Sequence, residues 1–320
     1  MSYLLLIVSM GLLVVGANWL VDGASNIARR FHLSEYIIGA TIVGMGTSMP
    51  EFVVSSISSF EGRSDIAIGN VVGSNIFNVF LILGITAQLM PIRYTRSNLR
   101  RDIPLNVVAS LIVIVLCYMP MLWGGHDYQL GRFDGIILLI LFAAYMIYSL
   151  KSDRKAAPSE EPQTGHAPQR PVWLSILGIV GGLAGLIIGG DLFVEHASRI
   201  ARQWGISEAF IGLTIVAAGT SLPELASSVI AAAKHKGQMA LGNIVGSNLF
   251  NLLLILGFSA TIHPLQPGDI SLVDWGIMLF SSICLWIAAK SFQKGEIDRK
   301  DGFLFVGIYL LYMSYLFTTI

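Results

Sequence analysis

Gly39-Ala-Thr-Ile-Val-Gly-Met-Gly-Thr-Ser-Met-Pro-Glu51 returns 173 residues later as Gly212-Leu-Thr-Ile-Val-Ala-Ala-Gly-Thr-Ser-Leu-Pro-Glu224. The same shift, without a gap, lays Gly69-Asn-Val-Val-Gly-Ser-Asn-Ile-Phe-Asn78 on Gly242-Asn-Ile-Val-Gly-Ser-Asn-Leu-Phe-Asn251. It also sets Val21, Ala24, Ser25, Ile27, Ala28 and Arg29 against Val194, Ala197, Ser198, Ile200, Ala201 and Arg202. The matched residues are mainly Gly, Thr, Ser, Pro, Glu and Asn, so shared hydrophobicity does not produce the match. The chain is a duplicated unit.

The medium around the repeat follows from composition. Of 320 residues, 54% are hydrophobic and 12% charged, and the mean hydropathy is +0.70. Soluble domains carry about a quarter charged residues, so the chain belongs in a lipid bilayer. Twenty Lys plus Arg balance 20 Asp plus Glu. With no net charge and no basic stripe, nucleic-acid binding has no electrostatic basis. Cys117 and Cys284 sit in apolar runs with no second Cys or His at ligand spacing, which reads as small buried residues rather than a disulfide or zinc site.

Apolar runs fall at about 2–28, 35–60, 66–90, 103–123, 133–150, 172–200, 208–233, 239–262, 272–290 and 302–319. Each suits a helix crossing about 30 Å of hydrocarbon. The runs are continuous rather than alternating, which favours helices over a barrel. The expected fold is therefore an all-α membrane protein of ten transmembrane helices in two five-helix repeats, 1–150 and 172–320. The polar, Pro- and Glu-containing segment 151–171 reads as a flexible linker. Sixteen of the 20 basic residues, including Arg29, Arg30, Arg100, Arg101, Lys151, Lys234, Lys236 and Lys300, lie in one set of alternate loops. Only Arg63, Arg132, Arg199 and Arg202 lie in the other set. Positive residues stay on the cytoplasmic side, so both termini are expected outside a cell (inner) membrane, with the linker in the cytoplasm. An odd number of helices per unit makes the second repeat enter from the side opposite the first. Inverted repeats of this kind build secondary transporters, with binding near the midplane.

Glu51 and Glu224 stand mid-span, where a carboxylate costs several kcal/mol unless it faces a polar cavity or a cation. On a helix Thr47, Ser48 and Glu51 share a face, as do Thr220, Ser221 and Glu224. Ser74 and Asn78 lie one turn apart, as do Ser247 and Asn251. Pro50 and Pro223 lack an N–H, which frees the carbonyls of Gly46 and Gly219, and the flanking glycines let the helix break there. Carboxylate, hydroxyl, amide and carbonyl oxygens form a hard site suited to calcium or sodium rather than zinc or copper. Gly39, Gly69, Gly73, Gly212, Gly242 and Gly246 read as close helix contacts. Asp22, Asp191 and Glu195 lie nearer span ends and are expected to pair with neighbouring Arg29, Arg199 and Arg202. Two opposed carboxylates carry a charge near −2, neutralised by one calcium or by sodium ions. An empty site of that charge crosses a hydrophobic gate poorly, which makes exchange obligatory.

The paired Gly-Thr-Ser-x-Pro-Glu and Gly-Ser-Asn-x-x-Asn segments resemble the two alpha-repeats of the calcium/cation antiporter superfamily, and within it the prokaryotic sodium/calcium exchangers. The resemblance covers nearly the whole chain. It implies ion sites on the second, third, seventh and eighth helices, with the first helix of each repeat sliding across the rest. It implies calcium ligands at Glu51, Glu224 and the carbonyls of Thr47 and Thr220. For sodium it adds Ser48, Ser74, Ser221 and Ser247, the carbonyls of Gly44 and Ala217, and the side chains of Asn78 and Asn251. Some relatives carry Asp at the position of Asn251, so the resemblance leans away from potassium co-transport. The implied activity is alternating-access exchange of calcium for sodium, with no cofactor. Proton or potassium coupling at the same two glutamates is the alternative. A channel is less expected, since channels usually complete their sites around an oligomer axis. A membrane enzyme lacks a base beside any serine. The partners expected are calcium, sodium and the lipid bilayer; nothing points to a protein partner, and a monomer is the working expectation.

Overall fold

The computed structural model describes residues 2–122, 128–156, 171–205, 217–268, 270–291 and 295–319. Gly212, the first part of the seventh span and most of the linker lie outside the described residues. The first repeat contains α1 (Ser2–Arg30), a broken α2 (Glu35–Thr47 and Met49–Phe60), α3 (Ser64–Leu89), α4 (Ile103–Leu122) and α5 (Arg132–Ala156). The second contains α6 (Val172–Gln203), α7 (Ala217–Gly219 and Leu222–Ala233), α8 (Gly237–Ile262), α9 (Leu272–Ser291) and α10 (Arg299–Thr319). Among the described residues, eight helices are long and apolar enough to span a membrane; α2 supplies a bent span and α7 a shorter apolar helix. These are the ten expected spans.

The duplication is visible in the turns. Four residues with left-handed backbone stand at repeat-related positions: His32 (φ 52°) with Gly205 (φ 79°), and Gly62 (φ 73°) with His235 (φ 58°). A tight stop is needed after α1 and α6 and again after α2 and α7, and glycine takes it without a Cβ clash at one member of each pair. At α2 the Ser34 hydroxyl accepts the Ile37 N–H at 3.2 Å and starts the helix. Loop pairing also repeats. Strand β1 (Ile92–Arg93) runs antiparallel to β2 (Glu296–Ile297) on the face that carries the basic loops, and a Leu130–Leu265 bridge joins loops on the opposite face.

Helices α3 and α8 are the most buried spans and form the centre, while α1, α5, α6 and α10 turn long apolar side chains outward, the positions that lipid covers. The α1 and α6 helices pack antiparallel through glycines. A Cβ on Gly16 would stand 2.8 Å from the Gly182 carbonyl, one on Gly23 2.6 Å from the Ser175 carbonyl, and one on Gly182 2.6 Å from the Leu20 amide nitrogen. Lipid tails are as apolar as the side chains, so backbone approach and packing hold such a pair together. The α2–α8 crossing uses Gly39 against the Met239 backbone, Gly242 against the Tyr36 carbonyl and Gly246 against Ala40. That fulfils the packing expectation for these three glycines; Gly69 meets only the Ile270 side chain, and Gly73 meets no other described residue within 4 Å.

One pairing differs from the expectation. Glu195 does pair with Arg199, at 2.8 Å along the helix, but Asp22 pairs with Lys234 of the α7–α8 turn at 2.6 Å rather than with Arg29. Asp22 lies two turns before Arg29 and is half-exposed, within reach of the Lys234 side chain. Asp191 borders a cleft described below.

Gly182→Leu is expected to lower the thermal unfolding midpoint in detergent, with a loss of about 1–3 kcal/mol from overpacking the α1–α6 contact. Gly11→Ala, with nothing within 4 Å of the added Cβ, should leave the midpoint unchanged.

Candidate functional site

The centre is built by two interrupted helices. Ser48 leaves helical geometry (φ −83°, ψ 11°) and the two halves of α2 meet at 47°. Ser221 does the same in α7 (φ −93°, ψ 6°). Pro50 and Pro223 fall in the first turn of the second halves, where a missing N–H costs nothing because first-turn amides have no intrahelical acceptor. Glu51 and Glu224 therefore sit in a first helical turn, at the positive end of the helix dipole. Both are 1% exposed.

The interruption alters the expected grouping. Ser48 was expected to share a face with Glu51, and Ser221 with Glu224. With the helix broken at each serine, the hydroxyls turn across the repeat boundary instead. Ser48 Oγ donates to Glu224 Oε1 at 2.7 Å, and Ser221 Oγ donates to Glu51 Oε1 at 2.9 Å. Ser221 Oγ also lies 3.3 Å from Ser74 Oγ. The second oxygen of each carboxylate, Oε2, is buried without a hydrogen-bond partner. Two carboxylates thus face one another, each half held by the other repeat and each with an unpaired oxygen.

The remaining predicted residues surround this pair unequally. Ser247 Oγ donates to the Gly44 carbonyl at 3.2 Å, joining two of them. Asn78 and Phe250 begin short stretches of π-helix (Asn78–Leu83, Phe250–Ile255), widened turns that recur at functional sites. Asn78 Nδ2 donates to Asn248 Oδ1 at 2.9 Å and leaves its own Oδ1 unpaired; both amide atoms of Asn251 are buried and unpaired. The Thr47 hydroxyl lies 3.0 Å from the Val43 carbonyl and 3.3 Å from Asn243 Oδ1. Thr220 Oγ1 is unpaired and borders a cleft of ≈ 280 Å³ with Pro50, Gly190, Asp191, Val194 and Pro223. Ala217 opens the described part of α7. Among the described residues no three His, Cys, Asp or Glu side chains cluster; the polar atoms beside the two acids are hydroxyl, amide and carbonyl groups.

Asn70 and Asn243 complete the arrangement and were not singled out from the sequence. Asn70 Nδ2 lies 3.2 Å from the Glu51 carbonyl and 2.9 Å from Ser55 Oγ. Asn243 Nδ2 lies 2.8 Å from Ser228 Oγ, 3.0 Å from Ser227 Oγ and 3.4 Å from the Glu224 carbonyl. Each ties the turn carrying a glutamate to the neighbouring helix. Their signal was the repeat itself, which places an Asn at both positions.

A multi-pass membrane protein with two inverted repeats, two broken helices and a pair of buried acids where they meet is a secondary cation transporter. The sodium/calcium exchanger protein family model matches residues 1–151 and 174–318. The chain is 37% identical to the putative antiporter CaxA of Alkalimonas amylolytica over 98% of either protein. It is 31% identical to the sodium/calcium exchanger MaX1 of Methanosarcina acetivorans, covering 99% of this chain and 98% of that one. It superposes on the structure of the sodium-calcium exchanger NCX_Mj with a TM-score of 0.82 at 32% identity, over 98% of each chain. The chain belongs to the sodium/calcium exchanger family, a family of cation antiporters.

Asn243→Ala removes the partner of the buried Ser228 hydroxyl and the tie to the Glu224 carbonyl, and is expected to cost about 1–3 kcal/mol, the penalty for stranding buried polar groups. The check is thermal unfolding in detergent, with Asn18→Ala, on an exposed part of α1, as the neutral comparison.

Proposed function

We propose that this antiporter exchanges calcium for sodium, and that Glu51 and Glu224 bind the ions. The observation that carries the reading is the crossed pair of Ser–Glu hydrogen bonds with an unpaired carboxylate oxygen left on each side. Burying such oxygens in apolar surroundings is costly unless a cation or proton meets them. The nearby oxygens suit a hard cation with flexible coordination. Calcium is held by the two carboxylates with the carbonyls of Thr47 and Thr220. Sodium is held by the same acids with Ser48, Ser74, Ser221 and Ser247, the carbonyls of Gly44 and Ala217, and Asn78 and Asn251. Asn251 adds no charge, which keeps the site at two negative charges and argues against a potassium requirement.

Both ion species neutralise the same pair of acids, so either loaded form passes the apolar packing above and below the site. The unloaded form carries two uncompensated charges and does not. Exchange follows from that difference. In the same reading residues 1–150 and 172–320 are the two repeats joined by 151–171, the basic face is cytoplasmic, and both termini are outside. The likeness to an exchanger studied with sodium, calcium and strontium supports the choice of ions.

In sodium-loaded proteoliposomes diluted into sodium-free buffer, calcium-45 is expected to accumulate, and to stop when the sodium gradient is removed. Uptake driven only by a pH gradient would replace sodium with protons in this scheme. Glu51→Gln and Glu224→Gln should each abolish calcium-45 uptake while retaining the detergent elution profile of the parent; normal exchange in either would remove these residues from the site.

A further inference from the structure

The repeat allows one half of the protein to be compared with the other, contact by contact. At the basic face the α1–α6 pair is tied to the rest of the bundle through the α7–α8 turn. Lys234 Nζ lies 2.6 Å from Asp22 Oδ1 and 3.4 Å from the Asn18 carbonyl, and Lys236 Nζ lies 2.6 Å from Ser25 Oγ. The repeat shift carries Asp22 to Glu195, Ser25 to Ser198, Lys234 to Glu61 and Lys236 to Arg63. At the opposite face those residues do not meet. Glu195 bonds to Arg199 on its own helix, Glu61 bonds to Arg63 within its own turn, and Ser198 Oγ is buried without a partner.

The same inequality runs through the centre. Thr47 reaches Asn243 and Asn78 reaches Asn248, whereas the counterparts Thr220 Oγ1 and the side-chain amides of Asn251 and Asn75 have no partner. Gly190, Val194 and Thr220 line the cleft. Their counterparts Ala17, Val21 and Thr47 are each 0% exposed. Equivalent residues are therefore sealed toward the basic face and parted toward the other. Charge decides which arrangement is held. Sealing the basic face joins Asp22 to Lys234, an attractive pair in a partly dehydrated setting. Sealing the opposite face in the same way brings Glu195 to Glu61, two like charges.

We propose that Asp22, Lys234 and Lys236 are positioning residues that hold the α1–α6 pair where the basic face is sealed and the cleft at Val194 and Thr220 is parted on the opposite one, with the two acids still buried beneath it. The proposal rests on the antiport reading only for its consequence, an unequal resting population of the two access states. None of the three residues touches the proposed ion site; they act through the helix pair.

The test uses the full chain with Cys117→Ser and Cys284→Ala, carrying either Val194→Cys or the repeat-related Val21→Cys, in membrane vesicles of each orientation exposed to a membrane-impermeant maleimide. Lys234→Gln is expected to slow labelling at Val194→Cys from the outer side about two- to fivefold, the range set by a partly exposed ion pair. It should speed labelling at Val21→Cys from the basic side by a similar factor. Exchanging the charges, with Asp22→Lys and Lys234→Asp together, should return both rates toward those of the parent. Unchanged rates, rates that move in the same direction as in general loosening, or a charge exchange that restores neither would overturn the proposal. Calcium-45 exchange is measured on the same preparations. Its absence under every ion gradient in the parent, with labelling shifting as described, would overturn the exchange reading and leave the positioning role standing.

Discussion

Two carboxylates buried in the middle of an apolar bundle are the constraint on which the rest of this structure depends. Each accepts its side-chain hydrogen bond from the other repeat. Glu51 is held by Ser221 and Glu224 by Ser48, so each half of the chain supplies what the other lacks. A continuous helix would direct those serines back along their own spans; the interruption at Ser48 and Ser221 turns them across the boundary. Proline in the turn that follows is tolerated because first-turn amides need no intrahelical acceptor. The breaks, the prolines and the crossed hydrogen bonds are one solution to one electrostatic problem.

Small residues serve the same end at a distance. For interrupted helices to meet, their neighbours must come close, and Gly39, Gly242 and Gly246 let α2 and α8 approach backbone to backbone. Asn70 and Asn243 then hold the glutamate-bearing turns to α3 and α8 through carbonyl and hydroxyl contacts. The α1–α6 pair lies beside this centre, packed tightly within itself through glycines. Its polar ties to the α7–α8 turn are Asp22–Lys234 and Ser25–Lys236. Duplication supplies two such sets of positions, and where one holds Asp22 and Lys234 the other holds two like charges, Glu195 and Glu61.

Much of this was legible from residues alone because a bilayer narrows the choices. A backbone in hydrocarbon satisfies its own hydrogen bonds, so ten apolar runs mean ten helices, and the structure accounts for each through long spans, a bent one and a shorter one. The duplicated glutamates stood out because a mid-span acid is expensive and therefore informative. Two expectations failed for a shared reason. Grouping Ser48 with Glu51 used helical spacing at a place where a break was itself expected, and pairing Asp22 with Arg29 assumed that the nearest base in sequence was the nearest in space. Both partners, Glu224 and Lys234, lie in the other repeat. Asn70 and Asn243 were present in the duplicated motif, but an amide in a small-residue segment has no mark of its own until its neighbours are known.

The sequence by itself determined the membrane setting, the spans, the duplication with its inversion, and the pair of acids, since each rests on composition, period or charge count along the chain. Only the tertiary structure decided which hydroxyl meets which carboxylate, which asparagines clamp the turns, and which face of the molecule is sealed. The Ser–Glu and Asp22–Lys234 contacts join residues about 170 to 210 positions apart, the asparagine clamps join neighbouring helices 15 to 19 positions apart, and in a duplicated chain the local sequence on the two sides is nearly the same. Equivalent segments can be packed against one another at either face, so the choice belongs to the long-range pairing of Asp22 with Lys234 and its like-charged counterpart, Glu195 and Glu61.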